Sequence, residues 1–356
     1  MKLIFIQTYP VYNYSDDINE WLALDNRDKW MPAIARQLGN EVELWVGARE
    51  SGRFEYRDPK NELPPLPIRA FKTVENDSRY KKHYSDEMIE AAREEPIYTH
   101  FILKGTDGGI GNRLIEKYLS PQYITYSMII GGKYYTDHVP KAIKIFYETE
   151  YQRKKLLDPG KRLWRNLCYS FQLIHLPKSI DTELFRPDPD ATKEWDLITI
   201  GRLIPNYKNY VAIGKLSEKY KTSIIGDGPA RKELQRQFPN MDFAGYVPNH
   251  QIPEYLNRAR SFFYTGKRDF HPRVITEAMA CGLPVIAFQK TIATDVVPEN
   301  CGFLIKEQDM KKQVEAILSK PKILADYGKN AREHVGKFRH RYSSKEPLIE
   351  AFQFNT

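Results

Sequence analysis

Cysteine is scarce in this chain of 356 residues: Cys168, Cys281 and Cys301 are the only three, and they stand far apart. That spacing builds neither a disulfide framework nor a cysteine-ligated metal centre, and the sparse, odd count points to a reducing compartment, the cytoplasm. Long apolar runs are missing too. No stretch approaches the roughly 18 residues that a membrane-spanning helix needs. The opening LIFI of residues 3–6 stops at Gln7, too short for a signal-peptide core, and reads as a first β-strand. Sequence repeats and low-complexity tracts are absent, which sets aside repeat architectures.

What is present describes a soluble globular protein, 41% hydrophobic and 28% charged. The length exceeds one ordinary hydrophobic core, so two domains are expected. The net charge of +8 suits nucleic acid, an anionic membrane surface or a phosphorylated small substrate, and equally a basic protein that is only well solvated. The Arg and Lys residues are spread along the chain rather than gathered in one tract. No nucleic-acid-binding motif occurs, so nucleic acid is not the expected partner.

Short apolar runs alternate with helical patterns in the N-terminal half. Residues 3–8 and 41–46 read as strands, with further strands near 97–103, 123–129 and 142–147. Between the first two, Trp30, Ile34 and Leu38 recur at helical spacing and Gly39 stands where a helix C-terminal glycine belongs. Residues 181–194 are rich in proline, aspartate and threonine, and read as an interdomain linker. Strand and helix patterns then restart from Trp195, with helices beginning near Lys208, Pro229, Gln251 and Pro272. Residues 343–354 form a short amphipathic helix. The expected organisation is α/β: a first domain over 1–185, a second over 195–340, and a C-terminal helix over 341–356 that crosses back to the first. Two doubly wound parallel sheets would face a cleft, with ligands outside the carboxyl ends of the strands.

Three stretches of the second domain carry chemistry. In GRLIPNYKN (201–209), Gly201 permits a tight exit from a strand, and Arg202 and Lys208 bracket the turn beside a helix start, a place for a diphosphate; exposed loop cations are also often just solvated. In IIGDGPARKEL (224–234), Gly226 and Gly228 flank Asp227, and Pro229 suits a helix start. This G-D-G is too short for a dinucleotide fingerprint and by itself reads as a strand-to-helix turn. The strongest stretch is TGKRDFHPRVITEAMACGLPVIAF (265–288). A loop carries Asp269, His271 and Pro272 lead into a helix, and the first free amides, at Arg273 and Val274, make an anion site. Glu277, one turn inside, can accept both hydroxyls of a ribose, and Asp269 the hydroxyls of a sugar. Gly282 and Pro284 end the helix and open the next strand.

These residues resemble the retaining glycosyltransferases of the GT-B fold, specifically glycosyltransferase family 4, the group 1 transferases. The family shows an acid, seven residues, then Glu opening "EAMACGxPVIA", and Asp269 and Glu277 hold that spacing before AMACGLPVIA. The likeness extends to GRLIPNYKN, IIGDGPARKEL, FAGYVPNHQIPEYLNRA (243–259) and SIDTELFRP (179–187), about half of the chain. Asp269 replaces the usual Glu, Phe270 and His271 stand where Gly and Phe are common, and one extra residue separates Arg202 from Lys208. The glycine-rich loop that often follows the first strand in the family is missing.

The resemblance implies two Rossmann-like domains and a metal-independent hexosyltransferase that retains anomeric configuration. A nucleotide diphosphate sugar, UDP- or GDP-linked, is the co-substrate, and a sugar, glycan or lipid-linked sugar the acceptor; no cofactor is implied. Arg202 and Lys208 would neutralise the leaving diphosphate, Glu277 would hold the ribose and Asp269 the donor sugar. Gly201, Gly226, Asp227, Gly228, His271, Pro272, Arg273 and Val274 would complete the donor site. No metal site is implied, since the acid-x-acid of Asp188 and Asp190 lies in the expected linker. In the first domain His83, His100 and His138 are candidates to assist an acceptor, or plain surface or core histidines. Residues 105–112 (GTDGGIGN) form an acceptor loop or a turn. Residues 151–171, mixing Arg and Lys with Leu, Trp and Tyr, read as a solvated basic helix pair or as a peripheral membrane contact. The competing functions are a nucleotide-sugar 2-epimerase, a DNA-glucosylating enzyme, and a binding module without transfer.

Overall fold

A computed structural model describes residues 1–131, 137–158, 172–206, 208–267, 271–292 and 295–352. The chain divides into two compact units, Met1–Ser179 with Arg341–Thr356, and Ile180–His340.

The first unit holds strands β1 (Lys2–Gln7), β2 (Glu41–Ala48), β3 (Gly52–Tyr56), β4 (Leu66–Lys72), β5 (Thr99–Lys104), β6 (Tyr126–Ile129), β7 (Lys144–Tyr147) and β8 (Gln172–His175). They form one sheet in the order β3-β4-β2-β1-β5-β6-β7-β8. Every pairing is parallel except β3 with β4. Both faces are covered, which explains why β1 is an unbroken apolar run: Leu3 and Phe5 enter one core, Ile4 and Ile6 the other. The helix Arg27–Gln37 starts where the Asn26 side chain accepts the Asp28 amide at 3.0 Å, and stops before Gly39, whose φ of 87° suits glycine. Strands β3, β4 and β8 were not foreseen: β3 and β4 alternate buried with more exposed residues, and β8 is only four residues long, so none shows an unbroken apolar run.

The C-terminal segment belongs to this unit. Leu348 and Ala351 of the helix Lys345–Phe352 join the core, and Phe352 lies 5.3 Å from the His100 ring, centre to centre. Ahead of it, Arg341 is buried against carboxylates: Asp58, Asp25 at 3.3 Å and Glu62 at 3.2 Å. Asp58 also accepts the amides of Lys60, Glu62 and Leu63. Burying these charges is tolerable only because each has its partners.

The second unit holds β9 (Trp195–Ile200), β10 (Thr222–Ile225), β11 (Asp242–Gly245), β12 (Ala259–Tyr264), β13 (Val285–Phe288) and β14 (Gly302–Ile305), ordered β11-β10-β9-β12-β13-β14 and all parallel. Helices Tyr210–Leu216, Arg231–Gln237, Ile252–Asn257 and Arg273–Ala280 follow the first four strands. The order reverses between β9 and β12, so their carboxyl ends form the topological switch point where such sheets bind ligands. Residues 181–194, expected as a linker, lie within this unit. Phe185 is buried, and Arg332 donates to the carbonyls of Thr182, Phe185 and Ala280 at 2.7–3.0 Å. The Asp188 carboxylate accepts the Asp190 amide at 3.1 Å and so closes a local turn.

Candidate functional site

The switch point of the second unit is built from the loops after β9, β10 and β12. Gly201 leaves β9 with its amide donating to the Ile225 carbonyl at 2.9 Å. The next two loops interlock: Leu203 donates to the Asp227 carbonyl at 2.9 Å, and Ala230 to that of Leu203 at 2.8 Å. This close approach requires glycine. A Cβ on Gly226, whose φ is 136°, would lie 2.1 Å from the Gly201 carbonyl oxygen, and one on Gly228 would lie 2.6 Å from that of Leu203. Asp227 spends its carboxylate locally, accepting the Gly228 amide at 2.7 Å and Arg231 at 2.8 Å. The Gly228 amide first, then Arg231, holds its carboxyl below the ordinary range.

Arg202 is exposed, while its backbone carbonyl accepts the buried Tyr210 hydroxyl at 2.6 Å. Lys208 is half-buried. Its ammonium donates to the Ile200 carbonyl at 2.7 Å and stands 5.4 Å from the centre of the Tyr264 ring. Its backbone pairs with Gly266, and Asn209 donates to the Thr265 carbonyl at 2.7 Å, so the β9 loop is tied to the β12 loop.

After β12, His271 and Pro272 are buried and the helix Arg273–Ala280 begins. The N-cap residue is Pro272, which has no side-chain acceptor to offer, so the first amides, Arg273 and Val274, have no acceptor from the helix itself. Arg273 is exposed and Glu277 is 4% exposed, their charged groups 3.9 Å apart. Burial pushes the Glu277 carboxyl above its ordinary value, with Arg273 and Lys208 pulling the other way. The arrangement therefore gathers Gly201, Arg202, Lys208, Gly226, Asp227, Gly228, His271, Pro272, Arg273, Val274 and Glu277 on the carboxyl ends of three adjacent strands. Asp269 lies outside the described residues. Tyr210, Tyr264, Thr265 and Asn209 hold the site from beneath or beside and were not singled out in the sequence, where each reads as core or turn.

The three histidines of the first unit sit in different surroundings. His83 is buried, its Nδ1 2.6 Å from the Tyr12 hydroxyl and its Nε2 2.5 Å from the Asp77 carbonyl. His100 is the second residue of β5, near the amino end of the strand, with Nε2 2.8 Å from Ser127 Oγ. His138 pairs with Glu116 at 3.3 Å. In residues 105–112, a Cβ on Gly108 would fall 2.0 Å from the Thr8 carbonyl oxygen, so that stretch packs as a tight turn against the β1 loop. Of residues 151–171, only 151–158 are described; they include most of the helix Glu150–Leu156, and the rest lies outside the described residues.

Two such doubly wound parallel sheets in one chain define the GT-B fold, and solved structures agree. The sucrose-phosphate synthase (tll1590) from Thermosynechococcus elongatus superposes with a TM-score of 0.71 over 99% of this chain and 98% of that one, at 14% identity. Anabaena Alr3699/HepE in complex with UDP gives 0.68 over 99% and 100%, at 15% identity. Residues 181–334, within the second unit, match the family model described as Glycosyl transferases group 1. Among curated proteins, the amylovoran biosynthesis glycosyltransferase AmsK of Erwinia amylovora is 25% identical over 259 residues, 65% of this chain and 63% of that protein. Two further bacterial relatives align over only 31% and 29% of their own length. No helix among the described residues is long and apolar enough to cross a membrane.

Proposed function

We propose that this chain is a retaining, metal-independent hexosyltransferase that moves a sugar from a nucleotide diphosphate sugar, UDP- or GDP-linked, to a sugar, glycan or lipid-linked acceptor. The observation that carries the reading is the convergence at one switch point of Lys208, Arg202, a helix N-terminus whose N-cap is a proline, and a buried carboxylate, Glu277. Cations and open amides suit a diphosphate, whose charge grows as the bond to the sugar breaks, so their effect is larger in the transition state than in the ground state. Glu277, desolvated and adjacent, suits the paired hydroxyls of a ribose, and Asp269 the hydroxyls of the sugar. The UDP bound to the HepE structure is consistent with this assignment.

A thermal-shift panel of UDP-, GDP- and ADP-sugars tests it, because a ligand that binds only the folded state raises Tm. One nucleotide class should stabilise the wild type, and Arg202→Ala and Lys208→Ala should respond less and transfer more slowly. No response to any nucleotide sugar, or unchanged turnover in both variants, overturns the reading. An epimeric product from donor alone would replace transfer by 2-epimerisation.

A further inference from the structure

The second unit carries a groove that the proposed donor site leaves unused. It opens at the carboxyl ends of β13 and β14, has a volume of about 680 Å³ and is floored by Phe288 and Ile305. That size falls within the range of small-ligand sites. Its rim is cationic and amide-rich: Lys290, Lys306, Gln289 and Gln308 are all exposed, with Thr291 beside them. Neither Lys290 nor Lys306 has an ion-pair partner among the described residues. Glu307 is the one carboxylate among the described lining residues, and it accepts from Asn209 at 2.6 Å. Asn209 directly follows Lys208, so the groove adjoins the loop that presents the proposed diphosphate cations.

We propose that this groove binds a carboxylate-bearing glycan, with Lys290 and Lys306 meeting the carboxylate. Two unpaired ammonium groups seek an anion. The Gln308 amide, the Gln289 side-chain oxygen and the Thr291 hydroxyl match ring hydroxyls. Gln289 uses its amide nitrogen on the Leu304 carbonyl at 3.1 Å, which fixes that oxygen at the rim. Naming the glycan as an acidic stretch of acceptor rests on the transferase reading. Its binding in the groove does not.

The test is calorimetric titration of the whole chain, without nucleotide, with a tetrasaccharide of galacturonic acid, with neutral maltotetraose and with inorganic phosphate. The acidic tetrasaccharide should bind, more tightly than either control and less tightly as salt rises. In the Lys290→Gln/Lys306→Gln variant its affinity should fall about fivefold, the scale of two exposed ion pairs. The nucleotide-sugar panel is run in parallel on both proteins and should be unchanged by the double substitution. Equal binding of the neutral tetrasaccharide, equal binding of phosphate, or full affinity in a folded double variant each overturns the proposal. If the variant fails to fold, the wild-type contrast between acidic and neutral tetrasaccharides decides. Acidic-glycan binding without any nucleotide response would leave the groove standing and remove the transferase reading; the reverse pattern would do the opposite.

Discussion

Gly201→Ala is the sharpest perturbation of the proposed diphosphate site. A Cβ at this position would lie 2.4 Å from Lys208 Nζ, 2.9 Å from Lys208 Cε and 2.8 Å from the Tyr210 hydroxyl, while its three nearest neighbours include no backbone atom. The chain can therefore respond by moving side chains, chiefly the flexible end of Lys208. That movement breaks the Lys208 bond to the Ile200 carbonyl and distorts the Tyr210 bond to that of Arg202. At about 1 kcal/mol for each of the two bonds, offset by about 0.5 kcal/mol from a less flexible unfolded chain, the net stability loss is about 1.5 kcal/mol. Tm should fall by about 4 °C. The displaced ammonium costs more in binding: a charge-assisted bond contributes about 2 kcal/mol, so the Kd for the preferred nucleotide should rise about thirtyfold. Calorimetry with UDP or GDP reads the affinity and scanning fluorimetry the Tm. A double-mutant cycle with Lys208→Ala separates the mechanisms, because the clash acts through Lys208 and should cost little further affinity once that side chain is gone. Unchanged nucleotide affinity in the single variant, or strictly additive losses in the cycle, would refute the reasoning.

Three further outcomes follow from the same geometry. Burial raises the Glu277 carboxyl above its ordinary 4.5, so the unfolded chain ionises first as pH rises and the native state loses stability above that value; Glu277→Gln should raise the apo Tm at pH 7, lose that advantage near its ordinary pKa, and weaken nucleotide binding, and a pH-independent Tm difference would sink the assignment. The His100 imidazole, pushed down to about 4 by burial and then by Lys144, is neutral in the fold. Its contribution is complete above its ordinary 6.5 and is lost as pH falls towards 4, by about 3 kcal/mol at most, so urea titrations of His100→Gln and wild type should converge on acidification. Arg341→Met leaves Asp58 buried without its cation and should cost about 3 kcal/mol, with faster proteolysis ahead of the helix Lys345–Phe352; equal denaturation midpoints would show the cluster to be energetically neutral.

Much of the architecture was legible because it is written in local patterns. The apolar run at residues 3–6 reads as a strand, and Gly39 marks a helix end by chemistry acting within a turn. The glycines at 201, 226 and 228 announce close backbone approach, although not what approaches. The two α/β domains followed from these signals, and the GT-B expectation from the family resemblance that the ordered motifs of the second half carry.

Tertiary structure decided everything that depends on which distant segments meet. It placed residues 181–194 inside the second unit, added β3 antiparallel at an edge, and put Arg341 among carboxylates some 280 positions away in sequence. It turned Lys208 inward onto the Ile200 carbonyl and Tyr264, committed Asp227 to its own turn, buried His83 and left His100 half-buried. Caps and periodicities act over a few residues and can be read in one dimension. Burial, desolvation and ion pairing are set by neighbours that only the crossover connections of a parallel sheet bring together.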